Sequence, residues 1–285
     1  MKRGYILLAI IMAGAIALFG VYMVLTRNFK DTTPPVITVD DQLLEISVED
    51  EKDVLMTGIT AMDDRDGDVT ASLLVESIYG ITEDNITTVT YAAFDRAGNV
   101  SKIQRKVRYT DYREPRFELS SSLCFPFNSG FDLLDYVGAN DVLEGNIRRR
   151  VRATLVSDTR SINELGSHVV RLQVTNSLGD TVEMDFPVEV YDPEWYTASV
   201  KLSSYLIYLK KGDAFKPEDY LRAFSIRGED ISISGNRIPD NILCDIDNRV
   251  NTREPGIYRV KYTLTQNLNM TSFSGQAILV VVVQE

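Results

Sequence analysis

Apolar and polar positions alternate along residues 87–110, TTVTYAAFDRAGNVSKIQRKVRYT, on both sides of an Asp-Arg-Ala-Gly-Asn turn. Alternation with period two broken by a turn signal predicts an antiparallel hairpin. The pattern recurs twice. Val89, Tyr91 and Ala93 align with Val170, Leu172 and Val174, then with Val260, Tyr262 and Leu264, at offsets of 81 and 171 residues. A repeat of that length is about the size of one small β-sandwich. Asn85, Gly166 and Gly256 precede each strand core by four residues, which predicts one left-handed backbone position met three times.

The chain therefore divides into an N-terminal segment, 1–30, and three modules at about 32–111, 112–192 and 193–285. Pro35, Pro115 and Pro193 stand ahead of the modules as short, stiff connections. In module two Val182, Met184, Phe186, Val188 and Val190 share one face of a strand, opposite Thr181, Glu183, Asp185 and Glu189. Arg148, Arg150 and Arg152 are read as one face of another strand. Residues 216–224 read as a short helix with Pro217 in its first turn. The last strand, residues 277–283, is apolar on both faces, so it is either buried twice or a surface for a partner. Leu279, Val280, Val281 and Val282 are the partner contacts on the second reading.

Residues 4–25 carry no charge and predict a helix of roughly 33 Å, enough for a ~30 Å hydrocarbon core. A cleaved signal peptide competes, with Ala15-Ile16-Ala17 as its processing site. The uncleaved reading makes this a single-pass anchor (transmembrane helix 4–25) with the body outside the cell.

The net charge of −11 is uneven: residues 1–30 hold Lys2, Arg3, Arg27 and Lys30 and no acid, leaving 26 basic against 41 acidic side chains in the remainder. An acidic body argues against nucleic acid, whose phosphates require basic partners. The two cysteines, Cys124 and Cys244, fall at non-equivalent places in different repeats, which predicts buried thiols and no disulfide within a module.

Three motifs follow in order through module one: Pro34-Pro35-Val36-Ile37, Asp66-Gly67-Asp68-Val69-Thr70, and Tyr91-Ala92-Ala93-Phe94-Asp95-Arg96-Ala97-Gly98-Asn99. Together they resemble the bacterial immunoglobulin-like modules found in tandem in Gram-positive surface proteins and some insecticidal crystal toxins. The resemblance covers residues 34–110. Modules two and three share only the frame; Asn176-Ser177-Leu178-Gly179-Asp180 keeps the glycine, and the turn at Gln266-Asn267-Leu268-Asn269-Met270 loses it. The resemblance implies an all-β protein of three tandem Ig-like sandwiches, used as spacer, adhesive or binding modules, and implies no enzyme.

The acid cluster Asp63, Asp64, Asp66 and Asp68, with Asp95 and Asn99 from the next motif, is the one place suited to a metal. Closely spaced oxygens on a glycine-bearing loop suit calcium, which takes six to eight of them. Asp64, Asp66, Asp68, Asp95 and Asn99 are the candidate calcium ligands; the competing reading is that these side chains only cap turns. An EF-hand is excluded, because Val69 and Val75 stand where its glycine and glutamate belong. His168, the sole histidine, starts a strand without any catalytic motif around it and is read as a surface or edge residue. The Arg148–Arg150 run with Arg152 reads either as a solvated face or as a contact for an anionic polymer. Trp195, Tyr196, Tyr205 and Tyr208 read as interdomain packing or as a sugar-stacking platform. The function expected is thus a membrane-anchored extracellular binding or spacer protein: an adhesin, scaffold or accessory subunit. The alternative is a cell-envelope polysaccharide-binding protein. Its partners would be a protein or a cell-wall glycan, with calcium as the one cofactor to test.

Overall fold

The computed structural model describes residues 2–29, 31–157, 161–233, 238–268 and 271–285. After helix α1, Lys2–Phe29, the described residues are organised by β-strands. Module one contains β1 Val36–Val39, β2 Leu43–Ile46, β3 Ile59–Asp63, β4 Gly67–Asp68, β5 Leu74–Ile81, β6 Ile86–Phe94 and β7 Val100–Tyr109. Module two contains β8 Arg116–Leu119, β9 Cys124–Pro126, β10 Val137–Asp141, β11 Gly145–Asn146, β12 Arg152–Leu155, β13 Gly166–Thr175 and β14 Thr181–Tyr191. Module three contains β15 Ala198–Leu202, β16 Leu206–Lys210, β17 Leu221–Ile226, β18 Glu229–Ser232, β19 Ile242–Asn248, β20 Gly256–Leu268 and β21 Thr271–Gln284.

One plan serves all three. A three-stranded antiparallel sheet (β1-β3-β4, β8-β10-β11, β15-β17-β18) stands beside a four-stranded one (β2-β7-β6-β5, β9-β14-β13-β12, β16-β21-β20-β19). In each four-stranded sheet the second strand of the module runs parallel to the last. Three sheet pairs of this kind are three tandem Ig-like β-sandwiches. The hairpin expected from alternation is the centre of each: β6–β7, β13–β14 and β20–β21. All nine aligned core residues are buried, Val89, Tyr91 and Ala93 completely, as are Val260, Tyr262 and Leu264. The left-handed position is met only twice, at Asn85 (φ 59°) and Gly166 (φ 122°). Gly256 lies outside that region, and a Cβ there would touch the Tyr258 ring at 3.4 Å.

The chain falls into two compact units, Met1–Asp111 and Tyr112–Glu285. Modules two and three make the second unit together, and β21 is the reason. Leu279, Val281 and Val283 point into the core of module three with Val200, Phe224 and Tyr262. Ile278, Val280 and Val282 point the other way, into the core of module two with Phe117, Leu172 and Phe186. Ser122 of module two seals the contact, accepting from Ile278 N–H at 2.7 Å. Of the two readings open for a strand without a polar face, this is the one of double burial.

Three expectations are corrected here. Among the described residues no helix is long and apolar enough to cross a membrane. The transmembrane span at 4–25 and the single-pass location of the body are therefore withdrawn. Arg148–Arg150 is a 3-10 turn, with β12 beginning only at Arg152, because Val151 caps the turn through its N–H to Arg148. The expected helix at 216–224 is likewise a 3-10 turn, Pro217–Tyr220, running straight into β17.

Candidate functional site

β3 ends on Asp63, which turns the chain with its own side chain: Oδ1 accepts the N–H groups of Arg65 at 2.9 Å and Asp66 at 2.8 Å. The residue is 7% exposed, and its other oxygen, Oδ2, is buried without a hydrogen-bond partner. A buried carboxylate oxygen left bare is costly, so such atoms are normally paired.

β6 ends at Phe94, and Asp95 closes the next turn. Its Oδ1 accepts Asn99 N–H at 2.8 Å and its Oδ2 accepts Asn99 Nδ2 at 2.6 Å. Gly98, at φ +86°, supplies the left-handed step this tight turn needs. Burial works against the charge on Asp95, but hydrogen bonds from the Asn99 side chain and from the backbone of Asn99, Gly98 and Ala97 hold its carboxyl below the ordinary range. Asn99 Nδ2 also donates to Thr33 O at 3.2 Å, which draws the lead-in segment onto the turn. There Asp31 accepts Thr33 N–H at 3.0 Å, its side chain only 10% exposed.

The outcome is that carboxylate oxygens of Asp31, Asp63 and Asp95 lie within 4.8 Å of one another. Three separated stretches meet there. The neighbouring cation is Arg65, 3.7 Å from Asp31 and half exposed.

The proposed calcium ligands distribute unevenly around this point. Asp95 belongs to the cluster and Asn99 braces it. Asp66 ties the two turns together through Arg96 N–H at 2.7 Å. Asp68 caps Thr70 N–H at 2.9 Å, and hydrogen bonds from the Thr70 side chain and backbone lower its pKa. Asp64 is exposed. Asp31 was missed from the ligand set; its local sequence, DTTPP, carries only a linker signal.

Module two repeats the corner with different chemistry. Asp141 ends β10 as Asp63 ends β3, and its Oδ1 accepts Leu143 and Glu144 N–H at 2.9 and 3.0 Å. Asn176 follows β13 as Asp95 follows β6, its Oδ1 accepting Leu178 and Asp180 N–H at 3.0 Å. Here the other side-chain oxygen of the aspartate is satisfied: Asn176 Nδ2 donates to Asp141 Oδ2 at 2.9 Å. The same amide donates to the Tyr112 hydroxyl at 2.8 Å, which donates to Asp180 Oδ2 at 2.6 Å. Burial first, and then Asp180, push the Tyr112 phenol pKa up, so it remains a donor.

The remaining candidates resolve as follows. Leu279, Val280, Val281 and Val282 are 0–4% exposed, their faces filled by the two cores, which leaves no surface for a partner. His168 is buried, not on the surface, because it shares the inward face of β13 with Val170 and Leu172; its Nε2 lies 2.6 Å from Glu164 O. Arg150 is paired with Glu144 at 2.6 Å, while Arg149, Arg150, Arg152, Gln173 and Thr175 line an open cleft of about 470 Å³. Tyr208 is packing within the second unit: its hydroxyl accepts Phe117 N–H at 3.0 Å beneath the Arg116 guanidinium. Trp195 is exposed. Cys124 and Cys244 are unpaired, and burial pushes the Cys124 thiol up to about 12. The turn residues Asn269 and Met270 lie outside the described residues.

No protein-family model matches the chain, and no curated relative does. Among solved structures, the extracellular domain of protocadherin γB4 aligns at 10% identity and TM-score 0.21, over 88% of this chain and 49% of that one. The protocadherin γB7 EC3-6 cis-dimer aligns at 11% identity and TM-score 0.21, over 87% and 73%. The CBM51-2 and INT domains of Clostridium perfringens ZmpB, in complex with GlcNAc, align at 16% identity and TM-score 0.22, over 87% and 44%. The chain thus spans about half the length of the first of these. Likeness at such TM-scores carries no functional argument, and the sandwich assignment stands on the sheets themselves.

Proposed function

We propose that this chain is an extracellular binding or spacer protein, without catalytic activity of its own. The observation that supports it is the double use of β21, whose alternate side chains fill the cores of modules two and three. A strand shared in this way resists bending between the two sandwiches, because flexing would open both cores. That is a useful property in a scaffold or spacer. In thermal unfolding of the whole chain, residues 112–285 should melt in one cooperative transition. Separate transitions for modules two and three would remove the rigid-block reading.

The second reading, recognition of an anionic cell-envelope polysaccharide, is favoured by the Arg149, Arg150 and Arg152 cleft. Guanidinium groups suit phosphate and carboxylate ligands. Co-sedimentation with purified cell wall, weakening with salt and lost on Arg149→Ala with Arg152→Ala, is the expected result; retention by the double variant would exclude the cleft.

A further inference from the structure

We infer that Asp31, Asp63 and Asp95 form a calcium site that fastens the lead-in segment to module one. Three observations carry it together. The carboxylates converge within 4.8 Å, the spread available to oxygens around one ion when each sits 2.3–2.6 Å from it. Asp63, one of the three, is 7% exposed and keeps its Oδ2 buried without a hydrogen-bond partner, an arrangement that a cation would complete. The chain also contains its own control, since at the corresponding corner of module two an amide and a phenol occupy the space. Where module two supplies an amide donor to the buried aspartate oxygen, module one supplies more carboxylate.

Like charges this close disfavour one another unless a proton or cation intervenes. Arg65, half exposed, stands 3.7 Å from Asp31 at the rim of the cluster. All-oxygen ligands select a hard cation, and carboxylates from three stretches of chain, completed by water, match the habits of calcium. The ion would join residues 31–33 to the turns after β3 and β6. It would therefore order the approach to the first sandwich. This inference is independent of the binding or spacer reading, which could fail while the site stands.

The test is calorimetric titration of the full-length protein with calcium, beside thermal unfolding in millimolar calcium and in chelator. Calcium should raise the melting temperature of the module-one transition by about 5 °C or more near saturation. Asp31→Asn changes a residue outside the sheets and should keep the fold while weakening calcium binding at least about tenfold. Asp95→Asn imports the module-two solution: it should abolish the calcium response and melt in chelator no lower than the parent does. Should Asp95→Asn prove unstable, D95N with N99D restores the module-two pair and carries the same expectation. Equal melting in calcium and chelator would overturn the proposal, as would a calcium response unchanged in both Asp31→Asn and Asp95→Asn.

Discussion

Asn176 Nδ2 lies 2.9 Å from Asp141 Oδ2, and this contact replaces in module two the meeting of Asp95 with Asp63 in module one. The two corners share their backbone turns. Gly179 N–H bonds Asn176 O at 3.2 Å, as Gly98 N–H bonds Asp95 O at 3.4 Å. Asn176 in place of Asp95, with Tyr112 beside it, therefore separates a self-satisfied corner from one with an excess of negative charge.

Asn176→Asp should reproduce the module-one problem inside module two. It removes the donor to Asp141 Oδ2 and the donor to Tyr112, and sets a second carboxylate beside a residue only 3% exposed. Loss of about 3 kcal/mol is expected from the unmet buried acceptor and the like charge together. Chemical denaturation of the full chain measures it; a loss under about 0.5 kcal/mol would mean the corner tolerates paired acids without help.

How far the sequence reaches is clear from this corner and from β21. The hairpins were legible because alternation needs only neighbours two residues apart, and Val89, Val170 and Val260 occupy the same buried position. The acid cluster was legible in part. Asp95 stood out beside a turn glycine, but Asp31 meets Asp63 only once the fold brings together residues remote in the chain. For β21, composition announced a strand without a polar face but could not choose between a partner and a second core. That choice belongs to topology. His168 misled for the opposite reason: its polarity suggested exposure, although the alternation of its own strand put it inside.

Tyr91 and Tyr262 make the same bond in modules one and three. Each buried hydroxyl donates to a 3-10 turn carbonyl, Leu55 O at 2.7 Å and Pro217 O at 2.8 Å. Module two has Leu172 at this position. Tyr91→Phe and Tyr262→Phe should each cost about 1–2 kcal/mol, since removal of the donor leaves a buried carbonyl short of a partner. With the two sites in different modules, the double variant should show additive losses in denaturant titration. Strong non-additivity would indicate that the modules do not respond separately.

The pH response should have an acid arm and an alkaline arm. Asp95 is depressed below its ordinary value of 3.8, so between the folded and unfolded values the unfolded chain binds the extra proton. Its contribution is present above about pH 4 and lost as pH falls through the folded value. Tyr112 is shifted upward from 10.0, so the folded state holds its proton longer. That contribution is present below pH 10 and lost as pH rises further. Denaturation midpoints followed across pH should fall at both ends, and Tyr112→Phe should flatten the alkaline arm alone. An alkaline arm unchanged in that variant would assign it to other groups.

Val280 is the sharpest probe of the shared strand. It belongs to module three by sequence and sheet, pairing with Arg259 on β20 and Leu206 on β16, yet its side chain lies in the core of module two. Val280→Ala removes two buried methyl groups and should cost about 2 kcal/mol. Val281→Ala, on the other face of β21, should cost a similar amount from the core of module three. If the second unit melts as one body, both substitutions lower the same transition, and hydrogen exchange slows or quickens together in β13 and β20. If Val280→Ala destabilises β20 while β13 stays protected, the two cores are not coupled through this strand, and the rigid-block reading fails with them.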